Sequence, residues 1–158
     1  MYNKINFAVA SVLLVSSFTS IAGKAANPND LSAVFSPNAD YSTSIKFAQI
    51  THVVATQSAV GSWCFNTSVR HNDQGWEHYA DGWEVIDLEG NQLGFRLLGH
   101  PHDNEQPFTR SQCNIKIPSG IFQVIVRAKC NKHGFGGKPI VVDLNDVQSS
   151  DYSVNRYD

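Results

Sequence analysis

Between Ser62 and Val69 the larger side chains fall on every second residue: Trp63, Phe65, Thr67 and Val69 alternate with Ser62, Cys64, Asn66 and Ser68. The same period returns where Phe122, Val124, Val126 and Ala128 alternate with Gln123, Ile125, Arg127 and Lys129. A two-residue period suits a strand with one buried face and does not suit an amphipathic helix. Runs rich in Val, Ile, Phe and Trp recur along the chain, separated by clusters of Gly, Asn, Asp and Pro, at a spacing typical of all-β domains. They predict strands at Gln49 to Gln57, Val60 to His71, Trp83 to Leu88, Gln92 to Gly99, Phe108 to Ile117, Ile121 to Cys130 and Pro139 to Leu144. Seven strands within about 100 residues predict an all-β fold, an immunoglobulin-like seven-stranded antiparallel sandwich. Glu89-Gly90-Asn91 suits a hairpin turn and Pro118-Ser119-Gly120 a tight corner. No helix of useful length and no internal repeat is visible.

The chain opens with Lys4, an apolar run from Ile5 to Val15 and small residues around Ala22 and Ala25, the pattern of a secretory signal peptide over residues 1–25. That run is short for a membrane span and no later run is longer, so a protein without a membrane span, exported to the periplasm or secreted, is expected. Residues 26–46 are polar and aperiodic and read as a flexible lead-in, 47–147 as the sandwich, and 148–158 as a polar, frayed tail. The formal net charge is −2, and removal of Lys4 and Lys24 with the leader makes it more negative. A mildly acidic surface is poorly matched to nucleic acid. About 130 residues remain, enough for one core and not for two.

Up-and-down alternation sorts the connections by end. Those after the second, fourth and sixth strands share one end, and they hold five of the six histidines: His71, His78, His100, His102 and His133. Imidazole is the commonest metal ligand and titrates near neutrality. His133 follows Cys130 in Cys130-Asn131-Lys132-His133-Gly134, where the glycine can let the backbone fold so that thiolate and imidazole reach one ion. His71 and His78 bracket a loop long enough to bring both rings to one point. His100 and His102 flank Pro101, and alternate residues of an extended segment point apart, so one of the two is expected at a shared site. Asp73, Glu77, Asp81, Asp103 and Glu105 can act as partners that accept the free N–H of ligating imidazoles. Arg110 beside Glu105 reads as a loop-fixing ion pair.

Three cysteines, Cys64, Cys113 and Cys130, leave at least one thiol outside any intramolecular bridge. Cys64 and Cys113 lie level if Val60 faces Ile117, yet alternation turns Cys64 outward and Cys113 inward, which a bulge could reconcile. Cys113 and Cys130 both point inward at different heights. The residues do not choose a pairing; a Cys64–Cys113 bridge would leave Cys130 free for a metal.

The segment Cys130 to Gly134, preceded by the strand from Phe122 to Ala128, resembles the closing iron-ligand motif of the superoxide reductases and desulfoferrodoxins. That resemblance implies an immunoglobulin-like sandwich holding iron(II) by four histidines and a cysteine. His71, then His78-Tyr79 leading into Trp83-Glu84-Val85-Ile86, occupy the places of two further ligands. His52 is the candidate for the first histidine. The chain departs from the pattern where Asn72 stands in place of Pro after His71, in a gap to His78 longer by one residue, and in its export. Val69 to Trp83, His100 to Ser111 and His133 to Gly137 also resemble an uncharacterised family of small exported bacterial β-sandwich proteins, from which no activity carries over.

The leading expectation is therefore an exported protein that binds a transition metal through Cys130, His133, His71 and His78, with His52, His100 and His102 as further candidates. Iron heads the metals, with one-electron reduction of a small anion such as superoxide, so the chain is an enzyme if it holds iron. Lys132 would attract the anion. Copper is the alternative, because Cys-x-x-His also closes cupredoxin sites, although no methionine follows Met1 to serve as axial ligand. Zinc completes the set. A different class is a non-catalytic envelope-interaction module using Trp76, Tyr79, Phe108 and Phe135 as a contact surface for a partner the sequence does not name.

Overall fold

The structure is a computed structural model that describes residues 41–145 and 148–156. The expected signal peptide lies outside the described residues. Nine strands are present among them: β1 Gln49–Ala59, β2 Ser62–Arg70, β3 Ala80–Ile86, β4 Gln92–Leu97, β5 Phe108–Lys116, β6 Gln123–Cys130, β7 Gly134–Phe135, β8 Ile140–Asp143 and β9 Tyr152–Asn155. No helix occurs among the described residues, so none there is long and apolar enough to cross a membrane.

Two sheets face each other. One has the order β5-β2-β1-β9, and in the other β4-β3-β6 continues to β7 and β8, which both pair with β6. Trp63, Phe65, Thr67 and Val69 of β2 are buried, and the three apolar ones share one core with Val124, Val126 and Ala128 of β6 and Trp83 and Val85 of β3. Full burial of each large apolar side chain contributes ~1.5–3 kcal/mol, so these few positions on facing strands set which faces close on each other.

Each of the seven expected runs carries a strand, and β7 and β9 add to them. The tail after Asn145, expected to fray, instead supplies β9, which pairs in parallel with β1 from Val53 to Thr56. Its Tyr152 and Val154 are buried at 7% and 3% exposure, so core burial holds it down. Ile125, expected on the outer face of β6, does lie on that face but is fully buried with Ile86 beneath Tyr41 and Val141. Phe122, expected among the inward residues, precedes the strand and stays largely exposed.

Cys64 and Cys113 form a disulfide between β2 and β5. The pairing shifts between Trp63 opposite Ile115 and Phe65 opposite Gln112, and Asn114 takes φ 60 within that shift. The extra residue turns Cys113 to the outer face beside Cys64, which corrects its expected inward direction. Cys130 is left as a free, buried thiol.

The loops after β2 and β4 and the turn after β6 meet at one end of the sandwich. Asn131 N–H donates to the Tyr79 carbonyl at 3.1 Å, and His102 N–H donates to Asp73 Oδ2 at 2.6 Å. The segment before β1 runs past the same end, where Asn72 N–H donates to the Ile45 carbonyl at 2.9 Å.

Candidate metal centre

His71 is the first residue beyond β2 and is 1% exposed. Its N–H donates to Gln106 Oε1 at 2.9 Å and its Nδ1 lies 2.6 Å from Asp73 Oδ1. Asp73 is the hub of this end. Oδ1 also accepts Ala80 N–H at 3.0 Å and Oδ2 accepts His102 N–H, so one carboxylate ties three segments together. Burial pushes the Asp73 carboxyl up, but the bonds from His71, His102 and Ala80 and the charge of His71 prevail and hold it below the usual carboxylate range. A carboxylate acceptor on Nδ1 fixes the ring and turns Nε2 inward with its lone pair, the usual support of a metal-ligating histidine.

His78 lies in the tight part of the same loop, where Gly75 takes φ 66 and Gln74 N–H donates to the His78 carbonyl at 2.7 Å. Its Nδ1 is 3.1 Å from Gln74 Oε1, so an amide orients it where a carboxylate was expected. Its Nε2 is buried with no hydrogen-bond partner. Burial lowers the His78 pKa, the charges of His71, His133 and Lys132 lower it further, and the nearby Lys46 carbonyl, outside good hydrogen-bond geometry to Nε2, works against them. A neutral imidazole with an unpartnered inward nitrogen is the form that accepts a metal.

Cys130 closes β6 and is 1% exposed. His133 N–H points at its Sγ at 3.3 Å, and Gly134 at φ 63 turns the chain back into β7, as the spacing predicted. His133 Nδ1 is 3.5 Å from Sγ, while the His133 ring is exposed and packs near Phe47. The His71 and His78 rings stand edge to face at 4.6 Å, and His78 and His133 at 4.8 Å. One ligand atom from each of His71, His78 and Cys130 lies within 4.8 Å of the others, all three residues being buried. Two imidazoles and a thiol in one buried place suit a thiophilic or borderline transition ion such as zinc, copper or iron, and suit magnesium or calcium poorly.

The remaining candidates fall elsewhere. His52 sits three residues into β1 opposite Ser68, half-buried, where its charge acts on Asp151. The His100 and His102 rings, expected to point apart, lie 4.4 Å from one another and outside the three-residue cluster. His102 is stacked flat on Phe108 at 3.8 Å, and it reaches the site through its backbone N–H on Asp73. That stacking buries Phe108 and removes it from the expected aromatic contact surface, leaving Trp76 and Phe135 exposed and Tyr79 half-buried. Arg110 and Glu105 pair at 2.7 Å, as their proximity predicted.

One participant had no sequence signal. The Lys46 carbonyl oxygen lies 3.1 Å from His71 Nε2, 3.1 Å from His133 Nδ1 and 3.7 Å from Cys130 Sγ. A main-chain acceptor carries no side-chain signature, and Lys46 stood in the stretch read as a lead-in.

The chain is 44% identical over 91 residues to a protein of Halomicrobium mukohataei provisionally named a lipoprotein, a match that covers 57% of this chain and 44% of that protein. The chain therefore spans less than half the length of this relative. No family profile matches the chain, and no solved structure does.

Proposed function

We propose that this is an exported β-sandwich protein that holds one transition-metal ion through His71, His78 and Cys130, with His133 as a fourth side-chain ligand. The observation that carries the reading is the buried, unpartnered Nε2 of His78 beside a buried thiol and a carboxylate-oriented imidazole. Leaving such a nitrogen unsatisfied costs ~1–3 kcal/mol, and an ion would satisfy it. The order β5-β2-β1 against β4-β3-β6-β8 supports an immunoglobulin-like arrangement. The apolar run from Ile5 to Val15 and the name of the relative support export to the envelope or beyond.

The test is metal content after expression through the native export route. Near-stoichiometric iron, copper or zinc is expected in the wild type and little in a His71→Ala/His133→Ala double variant. A metal-free wild type that takes up none of the three under reducing conditions would refute the proposal.

If the ion is iron, thiolate donation from Cys130 supports one-electron chemistry on a small anion such as superoxide. The exposed side of His133 and the charge of the neighbouring, exposed Lys132 favour anion entry there. Superoxide reduction is then expected to disappear in Cys130→Ser, and undiminished activity in that variant would remove this reading.

A further inference from the structure

We propose that the main-chain carbonyl oxygen of Lys46 is itself a ligand of the ion held by His71, His78 and Cys130. The inference rests on the metal reading above and extends it from side chains to backbone.

The distances carry it. Lys46 O stands 3.1 Å from His71 Nε2, 3.1 Å from His133 Nδ1 and 3.7 Å from Cys130 Sγ, with 3.5 Å between Sγ and His133 Nδ1. A carbonyl oxygen has two lone pairs, too few to accept from three groups in good geometry. Donors bonded to one ion at about 2.0 to 2.3 Å, however, sit roughly 3 to 3.7 Å from one another, the edges of a coordination polyhedron. These four separations fall in that range, while the wider spacing among the His71, His78 and Cys130 ligand atoms, up to 4.8 Å, has to close when an ion binds.

The chemistry agrees. In the neutral form of His71 that carries its hydrogen on Nδ1, toward Asp73, Nε2 and the Lys46 oxygen present lone pairs to each other at 3.1 Å. A cation placed between them turns that repulsion into shared coordination.

The backbone is also built to hold the oxygen there. Gln49, only 9% exposed, holds its Nε2 at 2.9, 3.0 and 3.0 Å from the carbonyls of Ser42, Ser44 and Phe47, with its two amide hydrogens shared among them. Its Oε1 accepts Lys138 N–H at 2.9 Å, which pins the clamp to the other sheet's connection. The Ile45 carbonyl accepts Asn72 N–H. Phe47 packs over Gly136, where an added Cβ would meet the ring at 2.4 Å. The neighbouring carbonyls are thus engaged with protein donors away from the cluster, and that of Lys46 is aimed into it.

Lys46-Phe47 is the one Lys-Phe step in the sequence, so carbonyl-13C lysine and 15N phenylalanine together give a single amide correlation reporting on that bond. Zinc is added to the full exported protein, and metal per chain is measured on the same sample. Stoichiometric zinc with a downfield move of the Lys46 carbonyl carbon is the expected result. Stoichiometric zinc with an unmoved or upfield carbon, the signature of a bystander or a displaced carbonyl, overturns this inference and leaves the metal site standing. Failure to take up zinc, copper(I) or iron(II) overturns both.

Discussion

Replacing Asp73 by Asn tests the network that supports the site. The carboxylate accepts His71 Nδ1–H and Ala80 N–H on one oxygen and His102 N–H on the other, and its side chain is fully shielded from solvent. An amide keeps one acceptor but sets its NH2 against one of these N–H groups. The variant therefore loses at least one charge-assisted bond and buries two donors facing each other, at ~1–3 kcal/mol for the unsatisfied group. Loss of charge from the surviving bonds adds about 1 kcal/mol, for a total near 3 kcal/mol. Urea unfolding at pH 7, followed through the buried Trp63 and Trp83, should show that loss with an unchanged m value. The carboxyl titrates below its ordinary range in the folded protein, so the unfolded chain binds its proton first as pH falls. The wild-type advantage is thus complete above the unfolded value of about 3.9 and declines as pH drops toward the folded value. Metal affinity should fall about 10- to 100-fold in the same variant, because His71 loses its orienting partner. A destabilisation under about 1 kcal/mol, or a gap that persists undiminished to low pH, would refute the hub assignment.

Two further predictions follow the same physics. Burial lowers the His102 pKa, the charges of Arg110 and His100 lower it further, and Glu105 and Asp73 oppose them. The unfolded chain then binds the proton first below about pH 6.5, so stability falls from pH 7 toward pH 5, and His102→Gln should flatten that slope in unfolding titrations. The Cys64–Cys113 bridge spans a separation of 49 residues, and the Cys64→Ala/Cys113→Ala chain should unfold about 4 kcal/mol more easily by the loop-entropy relation, measured as a lower urea midpoint.

Much of the fold was legible because each informative strand buries a single face. The two-residue period at Trp63 to Val69 marks core positions directly. It misleads at Ile125, where the segment around Tyr41 covers the outer face as well, a fact that lives in residues far away in sequence. β9 was illegible for a related reason: four residues pairing in parallel with the first strand gain their stability from a partner nearly a hundred positions upstream. At the site, the Cys130-to-Gly134 turn and the pair His71 and His78 were visible because side chains announce them. His102 was correctly placed at this end, but its ring serves packing and its backbone serves Asp73, and a sequence does not separate those roles. The Lys46 oxygen was invisible, since every residue carries a carbonyl and only the Gln49 clamp aims this one.

The placement of β9 bears on how the molecule avoids its own kind. β1 is 11 residues long, and without a neighbour its outer side would offer a row of open amides and carbonyls to any passing strand. The chain fills that side itself: Lys138 O accepts Ile50 N–H, Asp151 O accepts Val53 N–H, and β9 continues to Thr56. The border then exposed is four residues long and ends at Arg156, which bonds back to the Leu144 carbonyl. A long, sticky margin is exchanged for a short one with a charge at its end, a form of protection against aggregation.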